Sequence, residues 1–242
     1  MKWDLWNPWA LYFELHSTHP LVAKRLLALS ALSEELGEEP LVRFDLPQPE
    51  SYWDEFAVDV AINSAPAVLL LAALGVGAAT GLGGLGGMLL LVAAAMMVKL
   101  RFTYPTGSFP EMSVATLLRQ VKVSGVRPVP CRLTGAIRGK GVPGLIWSDD
   151  FVMQDDTGLM LLDHRQPLAL WEGLWGWLRG NRLIGEDVQV EGWYRRAPIP
   201  FVEILHFTVN GVRRRSWLRL FRWASAVLVA LAGLALLASS RF

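Results

Sequence analysis

Two stretches of the chain carry no charge at all. Pro66 to Val98 gives 33 uncharged positions and Trp223 to Ser240 a further 18, close to the roughly 20 apolar residues that a helix needs to cross a bilayer. Elsewhere the apolar positions are periodic. Leu21, Val22, Arg25, Leu26, Leu29, Leu32 and Leu36 recur at three- and four-residue spacing, with Lys24, Glu34 and Glu35 opposite; this predicts the second and clearer part of a helical region over residues 5–36. Pro20 suits its first turn, Ser17 or Thr18 can cap it, and Gly37 is its natural stop. Residues 38–65 are acidic and proline-bearing, and read as a loop with a short helix near Trp53 to Val60.

From Gln120 the texture becomes alternating, β-branched and punctuated by turns: "QVKVSGV", "CRLTGAI", "FVMQDDTGLMLLD", "EDVQVEGWYRR" and "FVEILHFTV". "QDDTG" between two apolar alternations predicts a tight hairpin, because Asp and Gly tolerate the backbone angles of such a turn. Five or six strands within about 90 residues predict a small closed barrel, with an OB-like Greek key the best single match. Between strands lies "LALWEGLWGWLRGNRLIG", where Trp171, Trp175, Trp177 and Leu178 cluster near two arginines. Tryptophan beside cations suits a headgroup layer; a helix capping the barrel's open end fits the same residues.

The first apolar stretch holds seven glycines between Gly75 and Gly87. A single helix of that length would measure roughly 50 Å against a hydrocarbon core of roughly 30 Å, so a hairpin turning near Gly83 to Gly87 is favoured over one tilted helix packed through its small residues. Net charge is only +1, but residues 1–65 carry 4 basic and 11 acidic side chains and residues 99–242 carry 19 and 11. The cations crowd the ends of the apolar stretches: Lys99 and Arg101 after the first, and Arg213, Arg214, Arg215, Arg219 and Arg222 before the second. The positive-inside rule then puts both ends, and residues 99–222 between them, in the cytoplasm. The expected fold class is an α+β membrane protein in four parts. These are a helical block over 1–65, a Gly-rich transmembrane hairpin over 66–98, a cytoplasmic OB-like barrel over 99–216 and a C-terminal transmembrane helix over 217–242. The expected location is the inner or plasma membrane, multi-pass, with the lipid bilayer as partner.

Candidate chemistry is sparse. The lone Cys131 allows no internal disulfide and no Cys-based zinc cluster. No H-E-x-x-H, G-x-S-x-G or P-loop occurs, and the four histidines, His16, His19, His164 and His206, form no H-x-x-x-H pair. His16 and His19 stand three apart, but Pro20 starts a helix after both. "GKGVPG" at 139–144 lacks the G-K-[ST] ending of a phosphate loop and reads as a turn. The barrel offers Arg127, Arg132, Arg138, Lys140, Trp147, Trp193, Tyr194, Arg195 and Arg196 to a nucleic acid. Asp149, Asp150, Asp155 and Asp156 interleave with them and make that partner unfavoured; a membrane-proximal module recruiting a cytoplasmic protein is the competing class.

One block has a specific appearance. "WDLWNPWALYFELHSTHPLVAKRLLAL" resembles the last conserved block of the HtpX-like and CAAX-prenyl-type membrane zinc metallopeptidases, in which S-T-H-P leads into a helix with arginine six residues after the histidine. The resemblance covers about residues 3–32, and the membrane segment and barrel look like a C-terminal region of some bacterial members. It implies accessory catalytic roles for His19, as an oxyanion donor, and for Arg25, reaching toward a carboxylate ligand. In that family zinc is held by an upstream H-E-x-x-H helix and a later glutamate. Neither is present in this chain, so no metal ligand or cofactor is assigned to it. The expectation is a membrane-anchored C-terminal portion of such a peptidase, concerned with membrane-protein proteolysis and quality control, not proteolytic alone and dependent on a separate catalytic domain. Without that resemblance, an ordinary helix cap with a surface ion pair is the favoured account of His19 and Arg25.

Overall fold

A computed structural model describes residues 2–40, 42–43, 50–140, 150–164 and 183–240. The chain opens with three helices, α1 (Lys2–Trp6), α2 (Pro8–Leu15) and α3 (Val22–Glu35). Asn7-Pro8 separates the first two: Pro8 occupies the first helical turn, and the Asn7 side chain accepts from the Trp9 amide at 2.9 Å. α3 starts two residues beyond Pro20, and no side chain caps it. Ser17 and Thr18 are turned to His19 instead, the first accepting from its amide at 3.3 Å and the second 2.8 Å from its Nδ1. Gly37, at φ 78°, ends α3. Its amide donates to Glu34 O and that of Glu38 to Ser33 O, satisfying two of the last carbonyls.

The short helix expected near Trp53 is the start of a much longer one. α4 (Trp53–Thr103) runs through Pro66 and is broken only at Gly81, where φ 75° and ψ −159° demand a residue without Cβ. There the chain doubles back. Lys99 Nζ donates to Asn63 O at 3.0 Å across a separation of 36 residues centred on Gly81. The turn thus precedes the Gly83–Gly87 stretch, and those later glycines serve another purpose. α6 (Leu218–Ser239) lies along the second arm of α4, and the two backbones meet at Gly86 and Gly233. A Cβ on Gly86 would stand 2.7 Å from Gly233 O, and one on Gly233 2.9 Å from Gly86 O; only small residues permit that approach. Ser240 stands beside Gly83, so the far end of α6 reaches the hairpin tip. Both α4 and α6 are long and apolar enough to cross a membrane. Their outer faces are uncovered, with Leu71 70%, Leu74 62% and Leu228 65% exposed.

The strands are β1 (Val129–Lys140), β2 (Phe151–Asp155), β3 (Gly158–Asp163), β4 (Asp187–Arg196), β5 (Pro200–Val209) and β6 (Val212–Arg215), with α5 (Val114–Leu118) before them. Their order is β3-β2-β1-β4-β5-β6, antiparallel throughout except that β3 also pairs with β5 in parallel, Leu162 opposite Val202. The pairings β1–β2–β3–β5–β4–β1 therefore close a ring of five strands. Cys131, Leu133, Ile137, Phe151, Met153, Val190 and Ile204 fill it. Gly192 is required at the β4–β5 bulge, because a Cβ there would lie 2.2 Å from Glu203 O. β6 follows Asn210-Gly211, both at positive φ, the signature of a two-residue hairpin.

"QVKVSGV" is not a strand. Trp3 Nε1 donates to Val123 O at 2.6 Å and Asn7 Nδ2 to Val121 O at 2.8 Å, so tryptophan and asparagine side chains take carbonyls that a neighbouring strand would otherwise use. Trp3, 1% exposed, joins the same apolar core as the strands. The N-terminal block is thus packed onto the sheet and does not stand apart from it. Residues 168–182 of the tryptophan-rich insertion, residues 141–144 of "GKGVPG", and Trp147 and Asp149 lie outside the described residues.

Gly233→Leu is expected to destabilise the chain by about 1–3 kcal/mol through overpacking against Gly86, seen as a lower thermal midpoint in detergent. Gly87→Leu, where a Cβ meets nothing within 4 Å, should leave that midpoint close to the wild-type value.

Candidate functional site

His19 is exposed and lines a cleft of about 340 Å³ with Asp4, Pro20, Val22, Pro198 and Ile199. Its Nδ1 is engaged by Thr18, and Nε2 has no partner among the described residues. Arg25 is exposed in the first turn of α3 and does not line the cleft; no hydrogen bond joins the two side chains. The charged groups nearby are satisfied, Lys24 by Glu14 and Arg196 by Asp4 at 2.9 Å. Arg25 makes no ion pair among the described residues. His16 turns away, its Nδ1 2.8 Å from Tyr12 O and its ring against Tyr12. Among the described residues, no group of three or more His, Cys, Asp and Glu side chains could hold a metal. The described residues thus supply no ligand set for a zinc centre.

A second constellation joins the sheet to the helices. Arg195 and Glu203, diagonal neighbours on β4 and β5 with Glu203 opposite Trp193 and Arg195 opposite Phe201, are 4% and 5% exposed and pair at 2.8 Å. Arg195 spends its remaining nitrogens on Gly125 O at 2.8 Å and Thr103 O at 2.7 Å. Tyr104, just beyond α4, donates to Glu203 Oε1 at 2.7 Å, and its ring meets Trp193 edge-on. Burial, with the Glu203 charge beside it, pushes the Tyr104 phenol far above its ordinary value, so it stays a donor. Arg222 of α6 donates to the same phenol oxygen. A parallel knot ties α4 to the loop before β1: Asp59, almost fully buried, accepts from Trp9 Nε1, Ser124 Oγ and Arg127 Nε at 3.1, 2.7 and 3.0 Å.

These contacts correct the nucleic-acid inventory. Trp193, Tyr194, Arg195 and Arg196 are buried, and Arg127 is committed to Asp59. Arg132 is held by Glu191, which also pairs with Arg213 at 2.7 Å. Burial works to raise the Glu191 carboxyl, but these two guanidinium groups hold it below the usual range. Burial, reinforced by Arg213, keeps the His206 imidazole below its ordinary value although Glu191 is beside it. The joint built on Tyr104 and Glu203 went unread in the sequence; its one signal was an acidic residue in the middle of the apolar run "FVEILHFTV".

A scan of the chain against protein-family models and a search of curated proteins return no match.

Burial pushes the Cys131 thiol up to about 12. Maleimide is therefore expected to label the native chain negligibly at neutral pH and the unfolded chain fully; rapid native labelling would contradict the closed ring. Arg195→Met is expected to cost about 3–5 kcal/mol, because Glu203 is left as an uncompensated buried charge. Adding Glu203→Gln should recover part of that loss in a chemical denaturation series.

Proposed function

We propose that this chain is the membrane-anchored portion of an HtpX-like zinc metallopeptidase engaged in membrane-protein proteolysis and quality control. On this reading it is not proteolytic by itself, and His19 and Arg25 serve at the rim of a cleft completed by a domain carrying H-E-x-x-H. The observation that carries this reading is the state of those two side chains. Beside Lys24 and Arg196, which are paired with Glu14 and Asp4, both side chains are left exposed with donors to spare. The imidazole is fixed through Nδ1 by Thr18, which leaves Nε2 to serve a partner, the arrangement expected of a preorganised hydrogen-bond donor. The guanidinium keeps its donors for a carboxylate.

The helices support a membrane location. Their uncovered leucines need an apolar solvent, and the hairpin and α6 together make three passes, each about 24–27 Å over its uncharged part. Lys99, Arg101, Arg219 and Arg222 all lie at the end nearest the strands, which under the positive-inside rule supports a cytoplasmic location for the sheet and the N-terminal block.

Zinc analysis of the purified chain should find no stoichiometric metal, and casein should not be cleaved. Addition of an H-E-x-x-H catalytic domain of this family should produce hydrolysis that falls by about 10–100-fold in His19→Ala or Arg25→Gln. Tight zinc lost on changing His16 and His19 to alanine, or cleavage indifferent to both residues, would refute the proposal.

The closed ring of pairings favours a second reading, an OB-like barrel tethered to the membrane that recruits a cytoplasmic protein. A defined partner whose recruitment survives His19→Ala and Arg25→Gln would favour it.

A further inference from the structure

Between the two arms of α4, α6 and the sheet lies a cavity of about 660 Å³. Part of its wall is apolar, from Pro66, Leu70, Val92, Met96 and Phe221; the rest is Lys99, Arg195, Arg222 and Glu203 with small polar neighbours. These charges do not cancel. Glu203 is the one acidic side chain of the lining, and it is already matched by Arg195. Lys99 donates to a backbone carbonyl and Arg222 to the Tyr104 phenol, and neither pairs with a carboxylate among the described residues. Two half-buried cations thus share an apolar cavity without a counter-charge, an arrangement that is costly until an anion completes it.

We propose that this cavity is a binding site for one anionic phospholipid, its phosphate held between Lys99 and Arg222 and an acyl chain laid along Leu70, Val92 and Met96. The spare guanidinium donors of Arg222 suit phosphate oxygens, and Lys99 adds a compact point charge. The apolar wall calls for a hydrocarbon tail, which a free phosphate ester lacks. This inference rests on the membrane placement above, since the cavity lies where the uncharged helical faces give way to the basic cluster, the level at which anionic headgroups sit.

Native mass spectrometry of the full chain in neutral detergent tests the site, with dioleoyl phosphatidylglycerol, dioleoyl phosphatidylcholine and inorganic phosphate as probes. Phosphatidylglycerol is expected to bind about tenfold more tightly than phosphatidylcholine. Lys99→Gln and Arg222→Gln should each remove part of that preference and together abolish it, while Arg222→Lys and the remote Arg214→Gln should retain it. Millimolar inorganic phosphate should not displace the lipid. Equal affinity of the wild-type chain for both lipids, a preference that survives loss of both cations, or displacement by inorganic phosphate would overturn the site. Recovery of the chain in the soluble fraction of cells would overturn the membrane placement itself, whereas a membrane-bound chain without lipid preference overturns this inference alone.

Discussion

The buried pair of Arg195 and Glu203 is the joint on which the molecule turns. It spans β4 and β5, and through Thr103, Tyr104 and Gly125 it reaches the end of the helical hairpin and the loop before β1. Arg222 brings α6 to the same phenol. A charge so far from water needs its remaining donors and acceptors filled, and here they are filled by groups from two other segments, residues 103–104 and Gly125. Loosening any of them would leave a charge buried without its partners, so the mutual placement of sheet and helices is specified by polar satisfaction as much as by packing.

The same economy explains the N-terminal block. Trp3, Trp9 and Asn7 do not form an independent unit; their polar atoms close the backbone of residues 121–123 and the Asp59 carboxylate, and their rings extend the core of the strands. Once those side chains are committed to the sheet, the segment that follows α2 is held against its edge with His19 and Arg25 left over. On the proposed reading, the block is both a plug for the ring and a platform that presents two unspent donors.

Much of this was legible from residues alone. Alternation located β1 to β5, the turn residues located the β2–β3 hairpin, and the uncharged runs located both long helices. What escaped had physical causes. "QVKVSGV" alternates like a strand, but its carbonyls are claimed by side chains more than a hundred residues away. Glycine counting placed the reversal of α4 too late, because Gly86 exists for the crossing with Gly233 and Gly81 for the turn, and composition does not separate these two uses. Asn210-Gly211 was a plain hairpin signal left unread. The joint itself was invisible because pairing of Arg195 with Glu203 depends on strand register, and burial of both depends on the helices that cover them.

The central claim is that the hairpin of α4 and the helix α6 lie in lipid with the strands and the N-terminal block on one face. Cysteine accessibility tests it directly, since the native Cys131 is buried in the ring. Single cysteines at positions 11, 107 and 211 should react with a membrane-impermeant maleimide from the same side of sealed vesicles. One in place of Leu82, beside the hairpin turn, should not react from that side. Labelling of 107 and 211 from opposite faces, or of position 82 from the face that exposes 107, would contradict the placement.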